Sequence, residues 1–172
     1  MEKHKTFISF YHRDDERYKV YIEERFSDFI INKSVQDGEY DKENSDEYVK
    51  RLIREDKVSD SSVMIVLVGP NTYKRKHVDW EIYAALRDSV NGNSGLIGVL
   101  LPTYELNSNG TYRWRDIPSR LADNVISGYS KIYTWSWFCD HFSSIVQKAF
   151  ENRILLKDKK NNTRKQMEDN IQ

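Results

Sequence analysis

The chain has 172 residues, enough for one sizeable core and short for two, so a single domain is expected. Lysine plus arginine and aspartate plus glutamate each number 27, which leaves no net charge to attract a polyanion and argues against a dedicated nucleic-acid partner. Aromatic residues make up 13% of the chain, a composition that excludes a disordered polymer, and the single cysteine, Cys139, excludes an intrachain disulfide.

No segment approaches the roughly 20 apolar residues of a membrane helix. The opening Met1-Glu2-Lys3-His4-Lys5 lacks a signal-peptide core. A cytoplasmic home and no membrane partner are expected, with Cys139 a small hydrophobe in a reducing compartment.

In chain order, residues 6–11 read as a buried strand, and Asp14 and Asp15 as caps of a helix carrying Tyr18, Ile22 and Phe26 at four-residue spacing. A second strand is expected over 29–35, followed by a polar loop over 36–44. Either Asn44, paired with Glu47, or Ser45 then caps a helix bearing Val49, Leu52 and Ile53. Val63-Met64-Ile65-Val66-Leu67-Val68 is the clearest element. Its unbroken apolar run, ended by Gly69-Pro70, suits a strand buried on both faces of a parallel sheet.

A helix is expected from near Val78, with Ile82, Ala85, Leu86 and Ser89 on the stripe of Val78. Leu96 to Leu101 reads as a fourth strand, 103–119 as a long polar loop, and 131–133 as a fifth strand. Residues 121–127 show no decisive pattern. A last helix carries Phe138, Phe142, Ile145, Val146 and Ala149. The division is a domain over 1–155 and a polar extension over 156–172, whose residues from Lys157 onward read as a frayed or solvent-facing tail. The class is α/β, a central parallel sheet flanked by helices.

Ligands of such sheets sit at the carboxyl ends of the strands. Three loops are expected to meet there: one with His12, Arg13 and Asp14; one with Asp37, Glu39 and Asp41; and one running through Lys74, Arg75 and Lys76 to Glu81. Glu81 lies on the flank of its helix's apolar stripe, where a carboxylate can be partly desolvated and still reach the rim. A solvated first-turn glutamate favoured by the helix dipole is the competing reading. Lys74 and Arg75 suit phosphate, or else form an ordinary solvated turn. Trp80 falls opposite the stripe, and packing on the preceding loop is its alternative role.

Dinucleotide, P-loop and nucleophile-elbow motifs are absent. His4, His12, His77 and His141 have no metal-site spacing, so no metal is expected. An aspartate-phosphorylating receiver is disfavoured because the third strand ends in Gly69-Pro70 and not in aspartate.

Phe7-Ile8-Ser9-Phe10-Tyr11-His12-Arg13-Asp14, Ser62 to Gly69, and Val78-Asp79-Trp80-Glu81-Ile82 together resemble the TIR-like domains of the Thoeris antiphage system, in particular its signal-producing component. The likeness covers roughly residues 5–150. It implies a flavodoxin-like TIR fold and, since Glu81 matches the glutamate of enzymatic members, cleavage of the nicotinamide–ribose bond of NAD with formation of a cyclic ADP-ribose-type signal. NAD is then substrate and no cofactor is implied. Ser9, Phe10, His12, Arg13, Lys74, Arg75 and Trp80 become the candidate nucleotide-binding residues. The resemblance also implies self-association and a downstream effector reached through a diffusible signal. His77 departs from the aromatic residue usual at that point. Simple NAD hydrolysis, a non-catalytic interaction module and a nucleotide sensor are the alternatives.

Overall fold

The computed structural model describes residues 2–32 and 44–172. Among the described residues, five parallel strands form one sheet in the order β2-β1-β3-β4-β5. They are β1 (His4–Ser9), β2 (Ile30–Asn32), β3 (Val63–Val68), β4 (Gly95–Leu100) and β5 (Lys131–Thr134). This is the flavodoxin-like order of a doubly wound sheet, whose winding reverses between β1 and β3.

Alternation along β3 builds two cores. Met64, Val66 and Val68 face one way with Phe7, toward α2 (Asp46–Leu52), its π-helical continuation Ile53–Val58, α3 (Lys76–Leu86) and α4 (Ser119–Ile126). Val63, Ile65 and Leu67 face the other way with Ile8, toward α1 (His12–Arg25), α5 (Trp135–Asp140) and α6 (Phe142–Leu155). Every residue of β3 and β4 is buried, as expected for strands covered on both sides. Each aliphatic side chain there contributes about 1.5–3 kcal/mol on burial. The α6 backbone presses so closely on β4 that a Cβ at Gly95 would lie 2.1 Å from the Ala149 carbonyl oxygen.

Several boundaries differ from expectation. Asp14 and Asp15 do not cap α1; its N-cap is Tyr11, and both carboxylates sit inside the first turn, where the helix dipole favours them. Ser45 is the cap of α2, its Oγ accepting from the Tyr48 amide at 3.3 Å. Residues 33–35 of the expected second strand lie outside the described residues. So does most of the polar loop, including Asp37, Glu39 and Asp41. The long polar segment after β4 contains a 3-10 turn, Trp114–Asp116, and leads into α4. The last helix is two, broken at His141.

The largest correction concerns residues 157–172. They do not fray into solvent but run back across α4 and α3 as a hydrogen-bonded strap. Asn161 and Asn124 exchange two bonds, Nδ2 of Asn124 donating to the Asn161 carbonyl at 2.7 Å and the Asn161 amide to Oδ1 of Asn124 at 2.9 Å. Arg164 donates twice to the Asp123 carboxylate, at 2.7 and 2.8 Å. Most residues of the strap stay exposed, as their polar composition suggests, so what is corrected is the fraying and not the solvation; the backbone is held because the strap's partners are themselves polar.

Candidate functional site at the switch point

The loops that leave β1 and β3 flank the reversal of winding, and between them lies a cavity of about 390 Å³. Tyr11, Arg13 and Asp14 line it from the first loop, Asn71, Lys74 and Arg75 from the second, and Gln172 from the strap. Asn71 holds Asp14 by donating to its Oδ2 at 3.0 Å. The Arg75 guanidinium lies 4.7 Å from the centre of the Tyr11 ring and donates to the Ile171 carbonyl at 3.2 Å. Three cationic side chains against one carboxylate, at the amino end of an 11-residue helix, favour an anion.

Two short-range devices shape this rim. The Gly69 amide donates to Oγ1 of Thr72 at 2.8 Å, turning the chain from β3 into the 3-10 turn Thr72–Lys74 that precedes α3. A Cβ at Gly69 would lie 2.7 Å from Oδ2 of Asp15, so only glycine leaves room for that buried carboxyl. Burial, with Asp14 next, raises the Asp15 pKa to about 6, against the opposing pull of the Thr72 hydroxyl and Arg17.

Glu81 lies below the rim. It is 3% exposed on α3, a helix that packs over β1, β3 and β4. Ser9, at the end of β1, is wholly buried and shares the α3-facing side of the sheet with Phe7. Its Oγ has no hydrogen-bond partner among the described residues. His77 stands one helical turn before Glu81. Burial first, then Lys76, lowers the pKa of its ring to about 4; nearby His12 pushes the same way and Asp46 opposes.

The expected convergence is therefore partial. Arg13, Lys74 and Arg75 meet in the cavity, whereas Glu81 and Ser9 are buried in the layer between the sheet and α3 and do not line it. Phe10 belongs to the core on the α1 side, and its ring centre lies 4.2 Å from that of His12. It is thus turned away from the layer that holds Glu81. Trp80, placed by the helical wheel on the outer side of α3, is 1% exposed because the strap covers it. Its Nε1 donates to the Met167 carbonyl at 2.8 Å, and the ammonium groups of Lys50 and Lys76 lie 4.9 and 5.1 Å from its ring. These contacts give both aromatic residues structural work.

Sequence reasoning missed the strap's part in the site. The signal for it was an indirect one: a tryptophan on the supposed solvent side of α3, for which the sequence offered the preceding loop as cover and not the carboxyl-terminal strap. Among the described residues, no three of His, Cys, Asp or Glu gather in a way that could hold a metal ion, and no helix is long and apolar enough to cross a membrane.

The family model described as Thoeris protein ThsB, TIR-like domain, matches residues 7–105, more than half of the chain. The matched span contains the second half of β1, all of β2, β3 and β4, and both cation-bearing loops of the cavity. No curated protein matches.

Proposed function

The chain belongs to the TIR-like domain family of the Thoeris protein ThsB, a family of antiviral defence, and from that premise we propose that it consumes NAD. In this reading Glu81 serves the break of the nicotinamide–ribose bond, and the product is a cyclic ADP-ribose-type signal for a downstream effector. Arg13, Lys74 and Arg75 hold the diphosphate.

The observation that carries the reading is the placement of a buried carboxylate behind a cationic cavity at the start of one helix. At 1.5 Å of rise per residue, Glu81 lies about 7.5 Å along the axis from Lys76. The Ser9 hydroxyl, on the sheet face beneath α3 and without a hydrogen-bond partner among the described residues, supports a polar ligand in the same layer.

The chemistry asks little of the protein. Nicotinamide in NAD is already cationic and leaves as a neutral base without a proton. Positive charge then grows on the ribose, where a desolvated carboxylate stabilises it far better than one in water. Water or another atom of the ADP-ribose closes the reaction, giving hydrolysis or cyclisation. Since Glu81 is almost fully covered, turnover requires a conformation that uncovers it. Activity that rises with protein concentration would identify self-association as the opening event.

The test is nicotinamide release by wild type and Glu81→Gln, followed chromatographically across a range of protein concentrations. Loss of release with an unchanged melting temperature is expected; an unchanged rate removes Glu81 from the chemistry. One observation favours a nucleotide sensor instead, namely that Glu81 is not among the residues lining the cavity. Binding of NAD without release of nicotinamide would establish that reading.

A further inference from the structure

The α3 helix carries Glu81 but does not cap its own amino end. Its N-cap residue, Arg75, makes no side-chain capping bond. The Lys76 amide donates instead to Oδ1 of Asn170, ninety-four residues later in the chain, at 2.9 Å. The strap that brings Asn170 there grips α3 along its length. The Met167 amide donates to Oδ2 of Asp79 at 2.8 Å, Trp80 donates to the Met167 carbonyl, and Nδ2 of Asn162 donates to the Tyr83 carbonyl at 3.1 Å. Both sequence neighbours of Glu81 on its amino-terminal side are thus tied to one backbone unit of the strap.

The same segment closes the cavity. Beside Asn170, the Ile171 amide donates to the Lys74 carbonyl at 3.0 Å and its carbonyl receives Arg75, while Gln172 supplies part of the wall. These contacts fix the backbone of Lys74 and the guanidinium of Arg75, two of the three cations.

We propose that Asn170 is a positioning residue: it sets the first turn of α3 relative to the cavity, and so holds Glu81 in register with a ligand bound through its phosphates. The part of this claim that concerns turnover rests on the reading of Glu81 as the catalytic carboxylate. Misplacement of a reacting group by about 1 Å is enough to cost a hundredfold in rate, so a cap that fixes the helix end is expected to act on kcat and not only on stability.

The experiment compares wild type, Asn170→Ala and Asn170→Asp in the full chain. Alanine removes the acceptor, and amide hydrogen exchange at Lys76 is expected to accelerate by about 2- to 30-fold, the range for a lost helix cap. Aspartate keeps the acceptor and the wild-type protection. In nicotinamide release, alanine lowers kcat about tenfold. Aspartate retains kcat but raises KM for NAD, because its charge opposes an anion in the cavity. Unchanged Lys76 exchange in the alanine variant, or one kcat for all three proteins, overturns the proposal.

A wild-type chain that releases no nicotinamide defeats the Glu81 reading alone. The positioning claim is then decided by Lys76 exchange together with the affinity for inorganic pyrophosphate. That affinity falls about threefold or more in Asn170→Ala if the strap shapes the cavity, and an equal affinity in both proteins overturns the claim.

Discussion

Replacing Asp15 by asparagine is expected to stabilise the protein at neutral pH and to leave it nearly unchanged in acid. The carboxyl is 1% exposed behind Gly69, and burial raises its pKa from 3.8 to about 6. Between those values the folded protein keeps a proton that the unfolded chain has released, so stability falls as pH rises. The contribution of the neutral acid is complete below about pH 4 and lost as pH passes about 6. A shift of about two pH units corresponds to about 3 kcal/mol, of which about 1.4 kcal/mol disappears between about pH 5 and about pH 7.5. Asparagine preserves shape and can accept from the Thr72 hydroxyl, but it does not titrate. Urea unfolding of both proteins at those two pH values should show the advantage of the variant growing by about 1.4 kcal/mol at the higher one. A difference that does not change with pH would refute burial as the force acting on this carboxyl.

Three other expectations use the same structure. Arg120 is fully buried and donates to both oxygens of Asp79, at 2.9 and 3.3 Å, so Arg120→Leu leaves a buried carboxylate without its cation and should cost about 3–5 kcal/mol in denaturant unfolding. The ring protons of His77 should titrate in NMR with a midpoint of about 4. Because the folded ring resists protonation, its contribution to stability is present above about pH 6.5 and lost toward pH 4, a loss that His77→Phe removes. Ser45→Ala deletes the α2 cap and should lower stability by about 0.5–2 kcal/mol in a thermal melt.

Elements whose burial is uniform were legible from the chain alone. Val63–Val68 agrees at both ends, because a six-residue, largely branched apolar run stopped by Gly69-Pro70 suits a covered strand better than a helix. Segments that bury polar side chains were not. In α4, Arg120 and Asn124 are as buried as Leu121, and this mixture hides the helical period that Leu121, Ala122 and Val125 would otherwise display. Their satisfaction comes from Asn161, Asn162 and Arg164, some forty residues away, beyond the reach of any local window. That Arg13, Lys74 and Arg75 line one cavity was legible because loops at the carboxyl ends of adjacent parallel strands meet. Phe10 was misleading because its parity, opposite to that of Ser9, directs it into the other core.

Arg120 joins three pieces of chain at once: Asp79 of α3, its own helix α4, and the strap through Asn162 and Arg164. Two of those pieces follow residue 105, where the family match stops. The outer support of the glutamate-bearing helix is therefore supplied by sequence that the shared domain does not define. A relative with different residues downstream would have to brace that helix in another way while the common segment stays the same. Grafting 106–172 between two such relatives would transfer the brace without altering a single residue of the inherited domain.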